Sequence, residues 1–252
     1  MTALITGASS GIGRDIARYL ASKNYDLILV ARREDRLKEL KNSISGVKVE
    51  TIATDLSVEE NCFALYEQTK GREIDFLVNN AGFGAYGKFA EVPLEKELEL
   101  INTNIKALHI LTKLYIRDMI ERNSGYILNV GSAAGFLAGP TFSSYYASKN
   151  YVVRLTEAIN EEMRRDKINV KVCALCPGPV NTEFNRVANV NFAVGGLSSE
   201  YVARYAVEKT LKGKMIITPG ILMKLAKFGE HFLSEKCMTR VSYGMQMKRK
   251  DK

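Results

Sequence analysis

Three side chains near the middle of the chain have types and spacing suited to acid–base chemistry. Tyr145 and Lys149 stand four residues apart in Tyr145-Tyr-Ala-Ser-Lys149, and Ser132 precedes the tyrosine by thirteen. If Tyr145 opens a helix, Lys149 lies one turn later on the same face. An ammonium there can stabilise a phenolate and draw the tyrosine pKa towards neutrality. The Ser132 hydroxyl, arriving from a strand end, can then hold a substrate oxygen against the phenol. Alone, the pair reads equally well as two residues on a solvated helix face. Its weight depends on what the rest of the chain brings to it.

The first 31 residues bring a phosphate cradle. Ala3-Leu-Ile-Thr6 is a strand, and Thr6-Gly-Ala-Ser-Ser-Gly-Ile-Gly13 is a glycine-rich turn. Arg14 to Lys23 carries Ile16, Ala17, Leu20 and Ala21 at helical spacing, and Asp26 to Ala31 is a second buried strand. Gly7, Gly11 and Gly13 permit a tight turn, close approach of backbone to phosphate and close helix–strand packing. Ser9, Ser10 and Ile12 belong to the same turn, and the helix N-terminus presents free N–H groups to a pyrophosphate. A ribose-binding acid is expected at the end of the second strand, but Ala31-Arg32-Arg33 stands there. Two guanidiniums that can fork onto a phosphate favour a 2′-phosphorylated cofactor, so NADP(H) is preferred and NAD(H) is the alternative. Positive charge is unfavourable at a helix N-terminus, which also argues for a ligand at these arginines.

The strand–helix unit then repeats. Val47 to Ala53 is a third strand, followed by Asp55-Leu56-Ser57, where Asp55 or Ser57 can cap a helix and Asp55 can equally accept from an adenine amino group. Asp75 to Asn79 is a fourth strand, ending in the small turn Asn80-Ala81-Gly82, which lets a ligand approach. Glu91 to Asn123 contains a long helical stretch with Asn104 inside its apolar run; a buried asparagine there must find partners and often marks a kink or a bound water. Tyr126 to Val130 is the fifth strand and delivers Ser132, and Ser143 to Arg165 is the helix of Tyr145. A sixth strand ends at the breaker cluster Cys176-Pro177-Gly178-Pro179. An irregular segment from Asn181 to Leu197 precedes a helix capped by Ser198 or Ser199 and running to Lys212, and Lys214 to Thr218 is a last short strand. This alternation predicts an α/β fold: a Rossmann-type three-layer α/β/α arrangement around a doubly wound parallel sheet of about seven strands, in a single domain. Residues 1–220 form its dinucleotide-binding and catalytic part. Residues 221–252 form an amphipathic extension with a basic tail, belonging to the same domain.

Composition bounds the function classes. A chain of 252 residues with 46% hydrophobic content can bury a large core. The net charge of +8 is uneven: residues 220–252 hold eight Lys or Arg against three Asp or Glu. That basicity comes with no nucleic-acid recognition motif, so a solvated tail is expected and no nucleic-acid partner. Apolar runs fall well short of the roughly 20 residues of a membrane span, and the strand-like run at Thr2 leaves no leader in view, so a cytoplasmic protein is expected. Cys173 and Cys176 have the spacing of a redox or zinc pair, but on a strand that spacing points them to opposite faces. With Cys62 and Cys237 isolated and His109 and His231 the only histidines, reduced structural thiols and no metal are expected.

Taken together, Thr6-Gly7-xxx-Gly11-x-Gly13, Asn79-Asn80-Ala81-Gly82, Asn104, Ser132, Tyr145-xxx-Lys149 and Pro177-Gly178 resemble the short-chain dehydrogenases/reductases over roughly residues 2–220. Arg32, following Ala31 where NAD-preferring members carry Asp, is similar to the NADP-preferring branch; that branch's basic residue in the glycine loop is replaced here by Ser9 and Ser10. The resemblance implies hydride exchange between a nicotinamide and a carbonyl or alcohol carbon. It makes Tyr145 the general acid or base, Lys149 the group that lowers its pKa and holds the nicotinamide ribose, Ser132 the group that polarises the carbonyl, and Asn104 the holder of a relay water. Val180 and Thr182, after Pro177 and Gly178, then contact the carboxamide and pyrophosphate. It also implies a homodimer or homotetramer, through the helices around residues 95–120 and 145–165. Candidate substrate contacts are Ser132, Ala133, Tyr145 and Phe184, with Phe83, Tyr86, Phe142, Pro179, Val187 and Phe192 around them. No cation stands out to clamp a carboxylate, so a mostly apolar ketone, aldehyde or acyl group is expected. The alternatives are NAD-dependent oxidation of a hydroxysteroid- or sugar-type alcohol, and a dinucleotide sensor or scaffold without turnover, against which the complete set Asn104, Ser132, Tyr145 and Lys149 weighs.

Overall fold

The core strands owe their place to side-chain alternation. In β1 (Thr2–Thr6), Ala3 and Ile5 join one apolar cluster and Leu4 joins another across the sheet. β2 (Asp26–Ala31) repeats this, with Leu27 and Leu29 on the first face and Ile28 on the second. Burial on both faces explains the near-continuous apolar runs. The computed structural model describes residues 1–184, 188, 196–220 and 234–247.

Around these strands the chain alternates. α1 (Gly11–Ala21), α2 (Glu34–Asn42), β3 (Val49–Ala53), α3 (Glu59–Thr69) and β4 (Phe76–Asn79) complete the first half. The second half holds α4 (Leu94–Ile101), α5 (Leu108–Glu121), β5 (Gly125–Val130), α6 (Ser143–Arg165), β6 (Val170–Leu175), β7 (Val180–Asn181), β8 (Leu197–Ser198), α7 (Ser199–Leu211), β9 (Ile216–Ile217) and α8 (Glu235–Met247). Seven strands pair in parallel in the order β3-β2-β1-β4-β5-β6-β9. Helices α1, α2 and α7 supply Ile16, Leu20, Leu37, Val202 and Val207 to the core on one face. On the other, α3, α5 and α6 supply Leu65, Leu111, Tyr115 and Met163. This is the expected three-layer, doubly wound architecture. Because β1 lies between β2 and β4, successive connections diverge at its carboxyl end and open the crevice where such folds hold ligands.

Several boundaries differ from expectation for local reasons. The long helix is interrupted by a π-helical turn, Asn102–Ala107, as the Asn104 side chain turns to bond the backbone of Phe83. Neither Asp55 nor Ser57 caps α3: Val58 holds that position, and the Asp55 carboxylate instead accepts from Ser57 N at 2.9 Å, closing its own turn before the helix begins. Ser198, one of the two candidates, does cap α7, accepting from Tyr201 N. The third strand starts at Val49 rather than Val47, with Lys48 N spent on the Asp26 carboxylate at 2.8 Å. The sixth ends at Leu175, and the last is shorter than 214–218.

Two elements were not foreseen. β7 and β8 form a small parallel pair at the two ends of residues 182–196. The helix α8 lies within the stretch read only as an amphipathic extension with a basic tail. It packs against the loop before α6, where the Thr141 hydroxyl donates to the Gln246 side-chain oxygen at 3.2 Å. Readings that fell on Val187, Phe192, residues 221–233 of the amphipathic extension and the tail 248–252 lie outside the described residues.

No disulfide joins Cys62, Cys173, Cys176 or Cys237. Cys173 faces the cluster of α1 and α7, whereas Cys176 packs with Val153 of α6, so the two do point to opposite faces. Burial pushes the Cys173 thiol up to about 12. Among the described residues no group of three or more His, Cys, Asp or Glu converges as a metal site, and no helix is long and apolar enough to cross a membrane.

Candidate active site

The glycine turn sits at the carboxyl end of β1, against the turn after β4. Gly7 adopts φ +64°, and a Cβ there would lie 2.7 Å from Asn80 Nδ2 and 2.9 Å from Ala81 Cα. Gly13 is tighter still: a Cβ would meet Asn80 Nδ2 at 2.3 Å and Gly7 O at 2.5 Å. Asn80 explains the crowding, since its Nδ2 donates to Thr6 O at 3.1 Å and Gly7 O at 3.0 Å. Asn80 therefore spends its amide on tying the turn to β4. Ala81 N donates to the Thr6 hydroxyl, and the turn Asn80-Ala81-Gly82 lies beside the cradle. Thr182 reaches the cradle from the far side, its Cγ2 3.0 Å from where a Gly11 Cβ would stand. Val180 is buried just before it, and Pro177 O accepts from Ala133 N at 2.8 Å, tying the Pro177-Gly178 turn to the segment after β5.

The two arginines after β2 have separate surroundings. Arg32 Nη1 donates to Glu99 Oε1 at 2.8 Å and lies 3.6 Å from Asp55. Arg33 reaches back over the glycine loop, with Nη2 2.9 Å from Ser10 Oγ and 3.1 Å from Ser9 Oγ. Its other edge donates to Glu183 at 2.9 Å, as does Arg36. The sequence places a ligand at these guanidiniums; folding also supplies them with carboxylates from distant parts of the chain. Of the pair, Arg33 rather than Arg32 is the one that meets the loop serines. Partial burial works to raise the Asp55 carboxyl, but hydrogen bonds from Ser57 and the nearby Arg32 outweigh it and leave it below its usual range. Leu56 is buried beside it.

Helix α6 places Tyr145 and Lys149 one turn apart, both buried. Ser132 stands at the end of β5, where its Oγ accepts from Ala134 N at 3.1 Å, and its side chain bears on the Tyr145 phenol and favours the ionised form. Lys149 Nζ donates to Val130 O at 2.8 Å and lies 5.8 Å from the Tyr145 ring centre. Asn104 is 1% exposed; its Oδ1 accepts from Phe83 N at 3.0 Å and its Nδ2 donates to Phe83 O at 2.9 Å and Ser148 Oγ at 3.1 Å. Both of its amide N–H bonds and one acceptor site of Oδ1 are committed to protein partners. A Cβ on Gly82 would lie 2.9 Å from Asn104 Oδ1 and 3.5 Å from Lys149 Nζ, so the glycine, the asparagine and the lysine converge.

Electrostatically the site departs from the simple expectation. Burial pushes the Tyr145 phenol far above its ordinary value, and the Ser132 side chain only partly opposes this. Burial draws Lys149 down to about 8. Lys149 is thus spent on a backbone carbonyl, and the protein's own groups hold the phenol protonated at neutral pH.

The surroundings of the Tyr145 ring are aromatic. Phe142 stacks on Tyr145 with ring centres 4.6 Å apart, and Phe184 lies 5.3 Å from the same ring. Tyr86 and Tyr146 pack around Phe142, with Phe83, Ala134 and Ala188 in the same cluster. Ala133 is half-buried at the start of the helical turn Ala133–Phe136. Glu99 and Glu183 went unnoticed in the sequence. They lie 67 and 150 residues from the arginines they meet, and no local pattern links them.

The order of strands and the crevice at the β1–β4 divergence define a dinucleotide-type α/β protein. A family model described as short chain dehydrogenase matches residues 1–191, and the chain belongs to that family. It is 36% identical over 222 residues to "Ketoacyl reductase HetN" of Nostoc sp., covering 84% of this chain and 76% of that one. It is 35% identical over 176 residues to the "Very-long-chain 3-oxoacyl-CoA reductase" of Rattus norvegicus, covering 67% of this chain and only 56% of that longer relative. Among solved structures it resembles a short-chain dehydrogenase from Sphingobium yanoikuyae in complex with NADPH, at 29% identity and TM-score 0.81 over 92% of this chain and 95% of that one. It also resembles a family member from Burkholderia phymatum in complex with NAD, at 26% identity and TM-score 0.84 over 92% of both chains. The protein is thus a nicotinamide-dependent oxidoreductase acting on CH–OH/C=O groups.

Proposed function

We propose that this protein is an NADPH-dependent reductase of a bulky, mostly apolar carbonyl compound, with a 3-oxoacyl chain the leading candidate. The observation that carries it is the buried Tyr145 phenol, one turn before Lys149 on α6 and walled by Phe142 and Phe184. Such a wall accepts an apolar chain beside the reacting carbon and offers it no cation. Two relatives described as ketoacyl or oxoacyl reductases support the substrate class. The cradle fits a dinucleotide, since Gly7 and Gly13 let the turn close tightly against Asn80 and Ala81 at the end of β1 and the N-terminus of α1 opens from it. Gly7, Ser9, Ser10, Gly11, Ile12, Gly13, Ala81, Gly82, Val180 and Thr182 would hold the cofactor, with Arg33 and then Arg32 at a 2′-phosphate. When bound, the nicotinamide supplies or accepts the hydride.

The chain's own residues do the rest. Ser132 Oγ orients the carbonyl oxygen towards Tyr145, and Tyr145 Oη gives that oxygen its proton in reduction. Lys149 keeps a cation beneath the phenol, and Asn104 holds the backbone after β4 in place through Phe83. Exposed Leu94, Leu98 and Ile101 form an apolar stripe on α4 that supports a homodimer or larger homo-oligomer.

A screen of 3-oxoacyl thioesters of graded chain length and aromatic ketones, followed by NADPH consumption, tests the reading. Turnover that rises with apolar bulk and is lost in Tyr145→Phe is expected. Activity unchanged in Tyr145→Phe refutes it. A second reading, NAD-dependent oxidation of a secondary alcohol, is favoured by one observation: both arginines already carry carboxylate partners.

A further inference from the structure

Arg33 bridges two unlike surfaces. Its Nε and Nη2 reach Ser9 Oγ at 3.3 and 3.1 Å, and Nη2 reaches Ser10 Oγ at 2.9 Å, which places the guanidinium at the mouth of the glycine loop. Its Nη1 meets Glu183 Oε2 at 2.9 Å, and the second oxygen of the same carboxylate meets Arg36 Nη1 at 2.9 Å. Glu183 follows Thr182, which itself touches the loop at Gly11. One carboxylate, set at the rim of the cradle, thus satisfies two guanidiniums on the side where a 2′-phosphate would be held. Arg33 first, then Arg36, hold Glu183 below the usual carboxylate range, so it is ionised at neutral pH. Arg32 is engaged separately by Glu99 and Asp55 and does not share this carboxylate.

We propose that Glu183 competes with the 2′-phosphate of NADPH for Arg33 and Arg36, and so sets how strongly this enzyme discriminates NADPH from NADH. The inference rests on the NADPH reading above and deepens it. The physical reason is charge. A phosphate monoester brings about 1.5 to 2 negative charges to a guanidinium, and to use Arg33 fully it must displace a carboxylate that already neutralises it. The 2′-hydroxyl of NADH brings no charge and meets no such competitor. The Glu183 side chain is partly exposed, so each of its ion pairs has the modest strength of a surface pair, equivalent to a factor of about 1.4 to 5 in affinity. With two pairs acting together, removing the carboxylate's charge tightens NADPH binding by about three- to tenfold and leaves NADH unchanged.

The test is titration of NADPH, NADH and 2′,5′-ADP into the full-length wild type, Glu183→Gln and Arg33→Gln, at fixed ionic strength. Glu183→Gln is expected to tighten NADPH and 2′,5′-ADP three- to tenfold and NADH by less than twofold. Arg33→Gln is expected to weaken NADPH and 2′,5′-ADP only. Glu183→Gln that leaves NADPH unchanged, or weakens NADPH and NADH together as the loss of a clasp over the dinucleotide would, overturns the proposal. If Arg33→Gln still weakens NADPH in that case, the cofactor reading stands without it. If 2′,5′-ADP fails to bind wild type and Arg33→Gln binds NADPH normally, both fall.

Discussion

Lys149 gives the sharpest quantitative test of the site. Burial lowers it from the ordinary 10.5 to about 8. Between those two values the unfolded chain carries a proton that the folded chain has released, so the unfolded state binds more protons and stability rises with pH. Below pH 8 both states are protonated and the fold bears the whole cost of a buried ammonium. Integrating the linkage with these two values, wild type gains about 2 kcal/mol between pH 7 and pH 9.5 from this one group. Tyr145 works slightly against this towards pH 9.5, because burial keeps it protonated in the fold while the unfolded phenol begins to ionise, and this contribution is common to both proteins. The perturbation is Lys149→Met, which preserves an apolar stem and removes the titration. It also deletes the bond to Val130 O, costing about 1–3 kcal/mol at every pH. Urea unfolding of both proteins at half-unit steps from pH 7 to 9.5 then reads the difference, from which other groups cancel. Lys149→Met should lose about 2 kcal/mol relative to wild type as pH rises. A difference that stays flat within about 0.5 kcal/mol, or slopes the other way, would show that the ammonium is well solvated and the account of this site wrong.

Three further outcomes follow from the geometry. Gly13→Ala pushes a methyl into Asn80 Nδ2 and Gly7 O, so overpacking and lost Asn80 bonds should destabilise the fold by about 2–4 kcal/mol in denaturant unfolding; a change below 0.5 kcal/mol would mean the cradle yields easily. Tyr145→Phe should retain dinucleotide binding by fluorescence titration while turnover falls by about 10²- to 10⁴-fold. The raised phenol also sets the pH response: from pH 6 to 8 the protonated form needed for reduction is fully populated, whereas the ionised form needed for oxidation grows about tenfold per unit. Initial rates in both directions check this, and an oxidation rate that levels off below pH 8 would count against it.

Much of the fold was legible because its signals are local. Ala3 and Ile5 against Leu4, or Leu27 and Leu29 against Ile28, announce strands buried on both faces within a few residues of chain. The glycine spacing from Gly7 to Gly13 and the four-residue step from Tyr145 to Lys149 are likewise local, and the structure brings both to the carboxyl edge of the sheet with Ser132. Helix α8 was not resolved from the surrounding amphipathic extension, and the burial of its polar Ser242 and Gln246 comes from tertiary packing that no local pattern announces. The π turn at Asn102–Ala107 was equally hidden, since it answers to a Phe83 backbone 21 residues away.

The Tyr145–Lys149 pair and the glycine turn therefore belong to the linear code: backbone periodicity and glycine conformation determine them with no knowledge of the rest. Charge state does not. Whether Arg33 is available to a phosphate depends on Glu183, 150 residues further on, and whether Lys149 lowers the Tyr145 pKa depends on how deeply both are buried. Desolvation and ion pairing act through space and fall away within a few ångströms, so only the folded chain decides them.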